Sequence, residues 1–249
     1  EDAARQIADW IAARPVAGDL RLKEWIAAVE RRGVLVVQTE RVPVSEARGF
    51  SISEWPFPVI ALNGGDSVRG RLFTLAHEIC HLFLNAGGIC DLHDSEAPQT
   101  SADRIEKFCN SVAAAALVPA RDLLAEHVVS GKAPNHDWKL SELDVVSRKY
   151  GTSSESLLLR LISLRRASWT TYWARKPDFQ KAYDDARAVA REREGGPSYY
   201  VVKSRNLGKS YVVSVVEAFQ SRLISSLDVA DFLGVRYDQV EKLVHEARR

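Results

Sequence analysis

The segment Leu75-Ala76-His77-Glu78-Ile79-Cys80-His81 constrains this chain more than any other. It reads H-E-x-x-H, inside a run in which Phe73, Leu75, Ile79, Leu82, Phe83 and Leu84 predict a buried helix. Placing three ionisable side chains on such a helix is costly unless something compensates. Residues i and i+4 lie on one helical face, a turn apart. His77 and His81 can therefore aim imidazole nitrogens at a single ion, and Glu78 can reach a water bound there. That is the layout of a zinc hydrolase, with two ligands and a general base from one helix. With 6 His in 249 residues, chance produces this pattern on the order of 1% of the time. The alternative, a core helix with solvent-facing histidines, is the weaker reading.

Two protein ligands do not complete a zinc site. Downstream candidates for the third are Asp91, His93, Asp94, Glu96, Asp103 and Glu106. The first four fall in a segment that Gly87-Gly88 and Pro98 mark as a loop. Cys90 with His93 could form a separate metal site there, although a solvated loop is the plainer reading. Glu106 is the better third ligand. Thr100 or Ser101 can cap a helix running to Ala116, with Ile105, Phe108, Cys109, Val112 and Ala116 as its apolar stripe. The small residues Ala113 to Ala116 would let it approach the H-E-x-x-H helix closely. A carboxylate on that facing helix leaves the fourth metal position open to water. Against this stands the plainer role of Glu106 as a surface partner of Lys107 or Asn110.

These stretches, with Ile105-Glu106-Lys107-Phe108-Cys109-Asn110 and Ala114-Ala115-Ala116-Leu117-Val118-Pro119, resemble the ImmA/IrrE zinc metallopeptidases. Gly49-Phe50-Ser51-Ile52 and Pro58-Val59-Ile60-Ala61-Leu62-Asn63 resemble the strands that precede the zinc helix in that family. The resemblance implies zinc on His77, His81 and Glu106, and Glu78 as the catalytic base. It also implies cleavage of a helix-turn-helix repressor of the XRE type, which derepresses stress or mobile-element genes. The specific match covers residues 20–130, and residues 140–249 match more loosely, as the helical extension of longer members.

The expected fold class is α+β. A zincin-like peptidase domain at residues 1–135, a short sheet plus the H-E-x-x-H helix, is followed by a mostly helical extension at 136–249. Helices are expected over residues 2–14, broken by Pro15, and from a cap at Asp19 to Gly33. Strands are expected at Val34–Val37, Phe50–Ile52 and Val59–Leu62. The strand near residues 49–53 is expected at an edge, where an extended substrate could pair with it. Beyond residue 100 helices dominate, starting at Pro119, at Ser141 and at a Thr152/Glu155 capping box. Ser198–Val202 reads as one short strand, and residues 165–198 as a long helix or linker broken at Gly195-Gly196-Pro197. The segments 145–157 and 229–240 have helix-turn-helix spacing. Neither second helix is rich in Arg, Lys, Asn or Gln, so packing is favoured over DNA reading.

Charge supports that preference. The chain has net charge +1, and residues 151–249 carry 17 Lys and Arg against 12 Asp and Glu. This is too mild for a dedicated nucleic-acid binder. No apolar run reaches membrane-spanning length. With 3 Cys, two of them on expected buried helices, Cys80 and Cys109 read as packing residues in a reducing cytoplasm. The chain contains no Met, which suggests a trimmed piece of something longer, such as a protein with an XRE-type DNA-binding domain ahead of it. Tyr150, His93, His127 and Arg148 are open candidates for the oxyanion donor. A rival reading keeps the zinc but acts by docking a helix-turn-helix partner, as a regulatory module or a toxin–antitoxin component.

Overall fold

The computed structural model describes residues 1–12, 20–39, 41–85, 89–90, 100–192 and 196–248. The expected Pro15 break, the Asp19 cap, the Gly87-Gly88 stop and Gly195 lie outside these residues. Two helices, α1 (Asp2–Ile11) and α2 (Leu20–Glu30), precede strands β1 (Leu35–Thr39), β2 (Gly49–Ile52) and β3 (Val59–Asn63). Helix α3 (Val68–Leu84) carries H-E-x-x-H and is followed by the two-residue β4 (Ile89–Cys90) and by α4 (Ser101–Leu117). The remainder is helical: α5 (Ala120–Ala125), α6 (His127–Ser130), α7 (Leu140–Tyr150), α8 (Ser154–Ser163), α9 (Trp169–Glu192), α10 (Tyr199–Leu207), α11 (Lys209–Gln220), α12 (Ser226–Leu233) and α13 (Val240–Ala247). The fold class is thus α+β, with a small sheet and a helical extension.

The sheet is mixed, in the order β1-β3-β2-β4. Strand β3 runs parallel to β1, with Leu35 opposite Val59, and antiparallel to β2, with Ile52 opposite Val59. Strand β2 is therefore not a bare edge. Gly49 and Phe50 pair with Cys90 and Ile89 of β4, while Ser51 and Ile52 lie beyond that short pairing. Alternation puts Gly49 and Ser51 on the buried face of β2 and Phe50 and Ile52 on its exposed face.

Three polar anchors set α3 against this sheet. Asn63, at the end of β3, donates to the carbonyls of Val42 and Ala47 at 2.8 Å each and accepts from the Gly65 amide at 2.9 Å. Buried Asp66 pairs with Arg48 at 3.1 Å and accepts from the Ser67 amide, placing negative charge at the positive end of α3. Ser67 caps the helix by accepting from the Gly70 amide at 3.0 Å. On α4 the cap is Thr100, which forms a reciprocal box with Asp103. Leu72, Leu75, Ala76 and Ile79 of α3 and Cys109, Val112, Ala113 and Ala116 of α4 are all buried in one core. Phe83 and Leu84 depart from the expected buried stripe. Both are exposed, and Phe83 packs edge-on against Trp10 at 5.2 Å.

Other local expectations shift by a residue or change type. Ser153, not Thr152, caps α8 by accepting from the Ser156 amide, and Thr152 is buried. Lys139 precedes α7, its amide bound by Glu142 at 3.0 Å, so the helix begins before Ser141. Residues 199–202 belong to α10 rather than to a strand: Ser198 accepts from the Val201 amide, and local capping outweighs the β-propensity of two tyrosines and two valines. In the first helix-turn-helix-like pair, Leu157, Leu158, Arg160 and Leu161 of α8 are all buried, which makes it a core helix rather than a groove reader. The same core extends to Tyr172 and Phe179 of α9, and a separate small core joins α11, α12 and α13.

Gly49 decides how closely β2 lies on α3. A Cβ there would sit 2.5 Å from Thr74 Cγ2 and 2.8 Å from the Ala61 carbonyl oxygen. Gly49→Ala should destabilise the fold by about 1–3 kcal/mol through overpacking. Chemical denaturation of wild type and variant checks this, and equal midpoints would show that the strand shifts without cost.

Candidate metal centre

The helical register of α3 puts His77 and His81 side by side, and the α3–α4 packing brings Glu106 to them. His77 Nε2 and His81 Nε2 are 2.9 Å apart. Glu106 Oε2 lies 3.1 Å from His77 Nε2, and Glu106 Oε1 lies 3.1 Å from His81 Nε2. Both imidazoles are buried, while the Glu106 side chain is 30% exposed, so the cluster has a solvent-facing side. Among the described residues, this is the group of His, Cys, Asp and Glu side chains whose ligand atoms converge closely enough to hold a metal ion.

The donor set fits a cation. Two imidazole nitrogens facing each other share at most one proton between them, and an ionised carboxylate only accepts. Glu106 Oε2 is buried and makes no well-aligned hydrogen bond despite its proximity to His77. Ligand bonds of about 2.0–2.1 Å around a tetrahedral zinc put ligand atoms roughly 3.3 Å apart, close to the separations here. Burial would raise the Glu106 carboxyl, but contact with His77 and His81 and their charge outweigh it and hold the group at about 2.

Glu78 stands apart from the converging group in its contacts. It is fully buried. Its Oε2 accepts from Ser51 Oγ at 2.7 Å, and its Oε1 is buried with no hydrogen-bond partner among the described residues. Burial raises its pKa above the ordinary glutamate value, and the charge on Glu106 adds to this. Ser51, His77 and His81 act in the opposite direction and only partly offset it. A raised carboxyl beside a metal-type donor set is suited to taking up a proton.

Other sequence candidates lie elsewhere. Asp103 is held in the Thr100 capping box at the start of α4. Tyr150 donates to Glu126 at 2.9 Å, and burial and that carboxylate push its hydroxyl upward. Arg148 pairs with Asp144, and His127 opens α6. Asp91, His93, Asp94 and Glu96 lie outside the described residues, and with them the suggested Cys90–His93 site. Cys80 and Cys109 are free and buried. They hydrogen-bond to each other, which lowers the Cys80 thiol and raises that of Cys109. Sequence reasoning missed Ser51. The signal was available: a polar residue on the inward face of an alternating strand needs a buried partner.

Glu106→Ala should lower metal affinity sharply, because two imidazoles alone make an incomplete site. Metal analysis after dialysis against a weak chelator measures this; unchanged content would move the third ligand elsewhere. The Cys80→Ala, Cys109→Ala double variant should keep its metal, since neither sulfur belongs to the converging group. Loss of metal with the fold intact, followed by circular dichroism, would show that a thiol ligates.

A family model described as Peptidase_M78, IrrE N-terminal-like domain, matches residues 29–161, just over half of the chain. The match spans the sheet, α3 and α4, so all four residues of the centre lie inside it. No curated protein matches the chain.

Proposed function

Because the chain belongs to the IrrE N-terminal-like, Peptidase_M78 family of metallopeptidases, we propose that it is a zinc-dependent endopeptidase acting on a regulatory protein. The observation that carries this is the convergence of His77, His81 and Glu106 beside a buried glutamate, one of whose oxygens has no hydrogen-bond partner among the described residues. A zinc ion held by those three residues would polarise the scissile carbonyl and make water acidic enough to attack near neutral pH.

The chain's own residues supply the rest. Glu78 Oε1 accepts the proton of the attacking water and passes it to the leaving amine. The Ser51 hydrogen bond holds that carboxylate in place, so little reorganisation accompanies the reaction. The exposed side chains of Phe50, Ile52, Trp55 and Phe57 lie on or beside β2 and offer apolar contacts to an extended substrate. The substrate we propose is an XRE-type helix-turn-helix repressor, whose cleavage derepresses stress or mobile-element genes. This rests on the sequence resemblance to ImmA/IrrE peptidases. Among the described residues, no helix is long and apolar enough to cross a membrane.

Glu78→Gln should keep metal and fold while lowering cleavage by about 10²–10⁴-fold, the usual worth of general acid–base catalysis. Cleavage of the candidate repressor is followed on gels, and its release from DNA is followed separately. Release that survives without cleavage would identify a docking module, in the manner of a toxin–antitoxin partner, rather than a peptidase.

A further inference from the structure

A carboxylate acting as a base must present one oxygen in a fixed direction. The terminal torsion of glutamate is broad and two-fold, so an untethered Glu78 would sample many orientations. In this protein the tether comes from a different element. Ser51 sits on β2, 5% exposed, paired in register with Ile60 of β3. Its hydroxyl reaches across to Glu78 Oε2 at 2.7 Å, and both partners are buried. Two residues earlier on the same face, Gly49 lies so close to Thr74 and to the Ala61 carbonyl that it leaves no room for a Cβ. That close approach brings the Ser51 hydroxyl within reach of α3.

We propose that Ser51 is a positioning residue for catalysis: it holds Glu78 Oε2 and so leaves Oε1 as the oxygen of that carboxylate with no partner among the described residues. This rests on the peptidase reading above. A hydroxyl has a single proton to donate. Once that proton is committed to Oε2, the two carboxylate oxygens are no longer equivalent, and Oε1 is the one of the two without a partner among the described residues. Ser51 is not one of the converging His77, His81 and Glu106 side chains, and its hydroxyl acts through Glu78.

The test uses the zinc-loaded chain with Ser51→Ala, Ser51→Thr and Glu78→Ala variants. One readout is repressor cleavage. The other is affinity for acetohydroxamic acid, a metal chelator whose N–OH group gives up its proton to an adjacent base, and it needs no turnover. Ser51→Ala should keep its zinc, lose about tenfold in kcat with little change in KM, and bind acetohydroxamate about tenfold more weakly, as expected for a lost hydrogen bond to a charged group. Ser51→Thr, which restores the hydroxyl, should recover most of both. In the Glu78→Ala background, Ser51→Ala should change acetohydroxamate affinity no further. Equal losses in both backgrounds would mean that Ser51 is only structural, and an unchanged Ser51→Ala protein would overturn the proposal outright. A wild-type protein that takes up no zinc and binds no acetohydroxamate would instead overturn the peptidase reading itself, and the role of Ser51 with it.

Discussion

The packing of α3 on α4 is the interaction on which the rest of this structure depends. It buries His77, Glu78 and His81 on a helix whose other buried residues are almost all apolar. Ionisable groups in such surroundings are tolerated only when paired or bound to a metal. Helix α4 answers with Glu106, carried beside a face of small residues. Ala113, two turns on from Glu106 on the same face, and Ala116 are buried in the core shared with α3, and their small side chains allow the two helices to lie close together. Larger residues there would widen the gap, and the carboxylate oxygens would no longer lie 3.1 Å from the two imidazoles. The same contact sets Cys80 against Cys109, two small, soft, buried side chains.

The sheet contributes more narrowly, by bringing one hydroxyl to Glu78. Its geometry is tuned at the points where strands meet α3. Asn63 ties the residue 42–47 segment to the end of β3, and Asp66 with Arg48 fixes the entry into the helix. Gly49 then lets β2 settle onto Thr74. The metal-type centre and the orientation of Glu78 thus come from different neighbours, α4 for one and β2 for the other. Substitutions should separate the two properties, because metal retention and base placement rest on different contacts.

The helical part is not a loose appendage. Leu157, Leu158 and Leu161 of α8 and Tyr172 and Phe179 of α9 share a core with the H-E-x-x-H helix. Arg21 of α2 donates to the carbonyls of Leu117 and Tyr150, joining α2, α4 and α7. The later helices dock through a second contact. Gly208, at φ 85°, passes so close to the Val36 carbonyl that a Cβ would lie 2.6 Å from it. Glu30 accepts from the Ser210 hydroxyl at 2.9 Å and also bonds its backbone, near the start of α11. Burial raises the Glu30 carboxyl, with Ser210 and Lys209 offsetting part of the shift.

Some of this was legible in the sequence because it is local. The i,i+4 spacing of His77 and His81 and the placement of Glu78 next to His77 follow from helical periodicity alone. So do the apolar faces of α3 and α4 and the buried runs of β1 and β3, because periodicity reports which face meets the core. The sequence also favoured Glu106 among six candidates, from the apolar stripe and small residues of the helix expected around it, but periodicity alone does not say which helix meets the histidines. Among the described residues, tertiary packing brings Glu106 to them by docking α4 on α3 and leaves Asp103 as a helix cap. It also decided the points at which local preference lost. Capping at Ser198 turned a β-prone stretch into helix α10, and core burial made α8 a packing element despite its helix-turn-helix spacing. The Ser51–Glu78 hydrogen bond belongs wholly to the tertiary structure. It joins residues 27 positions apart through a strand–helix approach that depends on the absence of a single Cβ at Gly49, and no periodicity encodes a contact between two different elements.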